Sequence, residues 1–376
     1  MKKIIEGSRA IALTIKNIAP QVVSAYPITP QTHIVEDLAL LKSQGLANFS
    51  YVRAESEFAA ASIVLGASAK GVRTYSATSS QGLLLMTEVL YNISGLRLPV
   101  VMTLANRAVS APINIWNDHQ DAMAVRDAGW IMLFAENNQE AVWQHILAYK
   151  IAENLSLPVL VNVDGFILTH CYEPVDIPSA TLIKKFLAPY KPKPGTFLDT
   201  KNPITMGALA DPRYYQEERK KLWIDTKKSL EVIKKEYRQL QKILNIKRKA
   251  HDDGLIEYSG NPQATTIIIA LGSIIGTIKS ALEDNPNFGV LKIKTWRPFP
   301  SQAVYDTIKK AKNIIIIEKA ISPGNLGPLY LDVKSVANDK QNLKNFITGL
   351  GGKDFKKEDV LKIIKNFNKY NNLNFI

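Results

Sequence analysis

The chain has 376 residues, 46% of them hydrophobic and 22% charged, a globular composition that excludes a long disordered or fibrous chain. Its one cysteine, Cys171, excludes an intrachain disulfide, a Cys-built zinc site and a self-contained iron–sulfur cluster, and points to a cytoplasmic protein. The formal net charge of +13 raises the question of nucleic acid, but its distribution argues against it: residues 213–249 carry +8 and residues 339–376 carry +4, leaving the rest almost balanced.

No segment predicts a membrane span, since the longest apolar stretch, 265–276, is too short. The Met1-Lys2-Lys3 start resembles a signal peptide only until Glu6, Arg9 and Lys16 interrupt the apolar run. In chain order, strands are predicted at 21–28, 73–77, 99–105, 129–135 and 158–163, and helices at 31–43, 55–69, 81–93 and 139–154. Near-continuous apolar strands alternating with helices predict a parallel α/β sheet buried on both faces. From about residue 190 the character changes. Lys191-Pro-Lys-Pro-Gly195 is a breaker run, and a basic amphipathic helix follows, with Leu230, Ile233, Tyr237, Leu240 and Leu244 on one strip. A second α/β unit is predicted from strands at 265–271, 290–295 and 313–317 and helices at 277–283 and 329–337. The expected organisation is a first domain over 1–189, a connector over 190–263 and a smaller α/β domain over 264–376.

Metal ligation by this chain alone is not expected. The five histidines show no i, i+4 pair, and His170 and Cys171 point to opposite faces of an extended chain. Asp118, His119 and Asp121 match no metal-ligand spacing. Gly349-Leu-Gly-Gly-Lys353 is not a phosphate loop, because Asp354 stands where Ser or Thr is needed.

Four clusters sit where strands end and helices begin, the place where open parallel sheets bind ligands. In Tyr26-Pro-Ile-Thr-Pro30, Thr29 and Pro30 suit the N-cap and first position of the next helix, or contact with a ligand. Glu55 and Glu57 suit a helix start, and the small and apolar residues after Glu57 also suit a carboxylate set against a buried surface. Thr78-Ser-Ser-Gln-Gly82 suits a cap or a polar ring edge. Arg107 suits a bidentate carboxylate contact or an internal pair with Asp118 or Asp121.

Together these segments resemble the alpha subunits of the 2-oxoacid:ferredoxin oxidoreductases, the pyruvate branch most closely. Tyr26-Pro-Ile-Thr-Pro30, Ser79-Ser-Gln-Gly-Leu-Leu-Leu-Met86, Asn106-Arg-Ala-Val-Ser-Ala-Pro112 and Asp118-His-Gln-Asp121 match in order. Trp296-Arg-Pro-Phe-Pro300, Ile321-Ser-Pro-Gly324 and Gly349-Leu-Gly-Gly352 follow in register. The family often has Ser after the Pro-Ile-Thr-Pro run, where this chain has Gln31.

The resemblance implies a thiamine-diphosphate-binding domain of the pyrimidine type and a second domain like the C-terminal domain of transketolases. It implies that Glu57 bonds N1′ of the aminopyrimidine and so promotes proton removal from the thiazolium. Ser79, Gln81 and Gly82 would line the cofactor, and Thr29 and Arg107 would contact the substrate and its carboxylate. It further implies a beta subunit holding the diphosphate and Mg²⁺, [4Fe–4S] clusters on the beta and delta subunits, and a gamma subunit completing the complex. The implied reaction converts pyruvate and coenzyme A to acetyl-CoA and CO₂ and passes electrons to ferredoxin. The alternatives are the same chemistry on a branched 2-oxoacid such as 2-oxoisovalerate, or a non-catalytic scaffold subunit. Neither nucleic acid nor membrane is an expected partner.

Overall fold

A computed structural model describes residues 2–283, 285 and 287–376; Met1, where the expected first domain begins, lies outside the described residues. Two sheets form the frame. The first places its strands in the order Thr295–Arg297, Ile131–Phe134, Val159–Asp164, Val101–Asn106, Thr74–Thr78, Val22–Ala25, Ser50–Arg53. All neighbours are parallel except Thr295–Arg297, which pairs antiparallel at one edge. The second has the order Leu373–Phe375, Asn342–Ile347, Asn313–Glu318, Thr266–Ala270, Phe288–Ile293, Ile256–Gly260, parallel but for its last strand. The protein is therefore an α/β fold with parallel sheets.

The physical cause is in the strand sequences. Thr74–Thr78, Val101–Asn106 and Val159–Asp164 are buried along their whole length, and β-branched runs such as Ile314–Ile317 fill both faces of the second sheet. Helices cover those faces. Asn138–Leu155 begins at Asn137, whose side chain accepts the Glu140 N–H at 2.9 Å, and ends at Ser156 in the left-handed conformation.

Several local expectations shift. The 81–93 run is two helices, Ser80–Leu85 and Thr87–Gly95, meeting at Met86. Thr29 does not cap a helix: the next helix starts at Thr32 with Gln31 before it, and the Gln31 side chain is buried instead, donating to Ala77 O at 2.6 Å. Glu55 lies outside its helix, which spans Glu57–Ala69 because Ser56 supplies the cap. The 290–295 run also divides. Phe288–Ile293 belongs to the second sheet, whereas Thr295–Arg297 crosses to the first and carries the buried Trp296.

The basic helix runs from Pro212 to Ile243, capped by Asp211, whose carboxylate accepts the Arg213 N–H at 2.8 Å. Its strip packs on its own protein. Ile233, Tyr237 and Leu240 are buried on the face of a helix that packs on Asn138–Leu155 and Ala180–Phe186, an aliphatic side chain there being worth about 1.5–3 kcal/mol of burial, and Leu222 is buried near Gly129. Among the described residues no helix is long and apolar enough to cross a membrane.

Candidate active site

Four neighbouring strands of the first sheet end on the same side, and each delivers one predicted cluster. Thr29 follows Val22–Ala25, Glu57 follows Ser50–Arg53, Ser79 to Gly82 follow Thr74–Thr78, and Arg107 follows Val101–Asn106. Because the strands are parallel and adjacent, residues distant in sequence converge at one edge.

Glu57 opens its helix, where the unsatisfied N–H groups favour a carboxylate. It is 8% exposed and has no hydrogen-bond partner among the described residues. Gly82 lies directly on it: a Cβ there would stand 2.7 Å from Glu57 Oε1 and 2.5 Å from Thr78 Oγ1. Thr78 Oγ1 is itself buried and has no hydrogen-bond partner among the described residues. An accepting carboxylate and an unused hydroxyl thus share a surface that only glycine leaves open.

Ser79 and Ser80 turn inward. Ser79 Oγ donates to Ala105 O at 2.5 Å, and Ser80 Oγ donates to Ala108 O. Gln81 is half-buried, its amide oxygen close to the same Ser80 hydroxyl.

Arg107 forms no ion pair with Asp118 or Asp121. Its Nη1 donates to Thr29 O and its Nε to Asn114 O, both at 2.9 Å, and Nη2 has no partner among the described residues. Burial lowers the guanidinium's pKa, against a smaller opposing effect from Asp121. The result is a cation aimed by main-chain carbonyls, in no ion pair among the described residues, beside the exposed Thr29.

Asp121 acts one layer deeper. Its carboxylate accepts from Ser80 N at 3.1 Å, Arg107 N at 2.9 Å, Asn106 Nδ2 at 3.1 Å and Ala122 N at 2.8 Å. Burial pushes its pKa up to about 7 against those donors. One fully buried carboxylate therefore ties the Ser79–Gly82 turn to the Arg107 loop. The sequence offered Asp121 as a partner for the guanidinium; the only hint of this other role was its place within a matched motif.

A second network, unforeseen in the sequence, joins the two sheets beneath the loop. His119 Nε2 lies 2.7 Å from Asp164 Oδ1, and Lys319 Nζ donates to Asp164 Oδ2 and Asn117 Oδ1, both at 2.8 Å. Burial alone would raise the Asp164 carboxyl, but Lys319 and His119 outweigh it and hold it far below the usual carboxylate range. Asp118 Oδ2 accepts from Gly351 N at 3.1 Å, and Gly352 N donates to Asn117 O at 2.7 Å. Two of the matched motifs, far apart in sequence, are therefore in direct contact. A cleft of about 420 Å³ opens beside them, lined by Trp116, Phe166, Lys319, Gly349, Lys353 and Phe355.

Fold and site define a class: a parallel α/β protein with a partnerless carboxylate and a carbonyl-held arginine at the strand ends. Comparison with known proteins specifies it. The thiamine-diphosphate-binding domain of the pyruvate flavodoxin/ferredoxin oxidoreductases matches residues 14–239, and the pyruvate:ferredoxin oxidoreductase core domain II matches residues 264–360. The chain is 44% identical to pyruvate synthase subunit PorA of Methanocaldococcus jannaschii, covering 98% of this chain and 95% of that protein. It is 37% identical to ketoisovalerate oxidoreductase subunit VorA of Pyrococcus abyssi, covering 98% and 94% respectively. A solved 2-oxoglutarate:ferredoxin oxidoreductase from Magnetococcus marinus shares the fold, with a TM-score of 0.73 at 20% identity over 97% of this chain and 65% of that one. The chain belongs to the pyruvate flavodoxin/ferredoxin oxidoreductase family.

Proposed function

We propose that this chain is the alpha subunit of a cytoplasmic, ferredoxin-linked pyruvate oxidoreductase that converts pyruvate and coenzyme A to acetyl-CoA and CO₂. The observation that carries the reading is Arg107: a guanidinium oriented by two carbonyls and left without an acid suits a small carboxylate substrate. Residues 1–189 supply the thiamine end, 190–263 connect, and 264–376 brace the site from behind.

The residues present suit thiamine diphosphate. Glu57 would hold the N1′ edge of the aminopyrimidine through its free carboxylate, with Thr78 Oγ1 and the bare Gly82 beside it. The bound cofactor supplies an electron sink for loss of CO₂ from a 2-oxoacid. Glu57 contributes by hydrogen-bonding the N1′ edge from a nearly buried position and so promoting proton removal from the thiazolium. Arg107 Nη2 binds the substrate carboxylate, and Thr29 lies within the same loop contact. Ser79 and Gln81 shape the turn on which Gly82 meets the ring.

The chain is incomplete in this reading. With one thiol it holds no cluster; in this reading the beta subunit carries Mg²⁺, the beta and delta subunits carry the [4Fe–4S] clusters that pass electrons to ferredoxin, and a gamma subunit completes the complex. Exposed apolar side chains flank the site residues along the chain: Tyr26 near Thr29, Phe58 beside Glu57, Leu85 after Gly82, and Trp116 on the Arg107 loop. Such a rim suits a permanent subunit contact.

The test is pyruvate- and coenzyme A-dependent reduction of ferredoxin or viologen by the co-expressed complex. Glu57→Gln is expected to abolish turnover while the complex still assembles; full activity in that variant overturns the assignment of Glu57. The VorA relative favours a second reading, the same chemistry on 2-oxoisovalerate, and a higher kcat/KM for that acid would establish it. A wild-type complex turning over neither acid would favour a scaffold subunit.

A further inference from the structure

Glu6, His33 and His170 are far apart in sequence and match no ligand spacing. Folding brings them together from three segments. Glu6 ends the strand Lys3–Glu6, His33 lies in the first turn of the helix Thr32–Ser43, and His170 precedes the strand Tyr172–Val175, which pairs with Lys3–Glu6. A carboxylate oxygen of Glu6 and one ring nitrogen from each histidine all lie within 4.8 Å of one another. We propose that these three side chains form a binding site for a divalent cation of the zinc class, with a fourth position left to water.

Two histidines and one carboxylate are a ligand set of borderline softness, suited to Zn²⁺ rather than Mg²⁺ or Ca²⁺. The His33 Nδ1–H donates to Glu6 Oε1 at 2.6 Å, so a proton now sits between two ligand atoms that a cation would draw to itself. The His33 and His170 rings are 4.5 Å apart, side by side. Two neighbouring imidazolium ions would repel each other, whereas two neutral imidazoles can share one metal. His170 also has the outer support that metal-bound imidazoles use. Its Nδ1 is 2.7 Å from Thr169 Oγ1, which accepts the Phe166 N–H at 2.8 Å. In the tautomer whose Nδ1–H donates to Thr169 Oγ1, His170 keeps a lone pair on Nε2 for the ion. Arg9, three residues after Glu6, is already matched by Asp37 at 2.6 Å.

The site has a structural consequence. His33 follows Thr29 by four residues, so a bound ion fastens the substrate loop to the outer Lys3–Glu6 and Tyr172–Val175 strands. This is a clamp beside the active site and takes no part in the chemistry.

The experiment uses the tag-free full-length chain, stripped of metal and dialysed against Zn²⁺, with bound zinc measured by elemental analysis and thermal unfolding followed in parallel. Wild type is expected to retain zinc and to gain in Tm as Zn²⁺ is added. Affinity is expected to fall by about tenfold or more in His33→Gln, His170→Gln and the near-isosteric Glu6→Gln, each with an unchanged circular dichroism spectrum. Cys171→Ser is expected to bind as wild type does. Zinc that is absent from wild type, that binds equally to wild type and folded Glu6→Gln, or that is lost in Cys171→Ser overturns the proposal.

Discussion

At Arg107 two main-chain carbonyls set the direction of the guanidinium and leave its charge for a ligand. Arg107→Met is expected to lower kcat/KM for pyruvate by about 10- to 100-fold, mostly through KM, as loss of a charge-assisted bond of about 1.5–3 kcal/mol requires. Steady-state kinetics on the assembled complex check this. Asp121 meets only donors, so Asp121→Asn turns an amide NH₂ toward N–H groups of Ser80 and Arg107 or of Asn106 and Ala122. That variant is expected to lose about 1–3 kcal/mol of stability and much of its turnover together. Gly82→Ala places a methyl against Glu57 and Thr78, and weakened thiamine diphosphate binding by calorimetry is the expected outcome. From the residues alone Glu55 and Glu57 were equal candidates at a helix start, and it was the resemblance that singled out Glu57; the structure adds that Ser56 caps the helix and leaves Glu55 outside it. The role of Asp121 was not legible, because a buried carboxylate serving main-chain donors leaves no spacing signature.

At the scale of elements, the segment Phe288–Arg297 links the two sheets and carries two buried lysines. Lys292 pairs with Glu136 at 2.6 Å, Glu257 at 2.9 Å and Glu140 at 3.2 Å, and Lys294 pairs with Asp252 at 2.9 Å and Glu140 at 3.1 Å. Burial alone would raise the Glu140 pKa, but Lys292 and Lys294 outweigh it and lower it to about 2. A carboxyl depressed in the folded state adds stability above its unfolded value of about 4.3, and that stability is lost as pH falls toward the folded value. The Tm is therefore expected to drop between about pH 4.5 and pH 2, and measurements across that range check it. Lys292→Met leaves buried carboxylates uncompensated and is expected to cost about 3–5 kcal/mol in urea unfolding. In sequence, two lysines in an apolar strand were read as part of one continuous run. Only the tertiary structure shows that the chain changes sheet after Ile293 and that the lysines meet Glu136 and Glu140 from the first-sheet layer as well as Glu257 on the neighbouring strand.

At the scale of the whole molecule, the helix Pro212–Ile243 carries ten basic and five acidic residues, a net +5 of the chain's +13. Lys220, Lys221, Lys227 and Lys228 are all exposed, three of them paired only with acids one helical turn away. Such pairs contribute little to stability and leave the net field intact. Replacing these four by Gln is expected to slow reduction of an acidic ferredoxin at low salt and to leave the viologen rate unchanged. Equal ferredoxin rates and salt dependence in both proteins would rule out steering by this helix. Discrimination between pyruvate and 2-oxoisovalerate also belongs to this scale, since a methylene or two is worth about 1–3 kcal/mol and depends on the completed pocket.

The alternation of apolar strands and helices by itself determined the α/β class, because local periodicity and β-branched burial carry that information along the chain. The convergence of the four clusters was equally plain, since parallel strands must present their following loops on one side. Tertiary structure alone decided how those loops are held. Asp121 reaches back to Ser80, Lys319 reaches Asp164, and Thr295–Arg297 leaves one sheet for the other. His33 and His170 meet Glu6 across two sequence gaps. Each of these depends on which distant segments the packing sets side by side, and no local pattern in a single sequence encodes that.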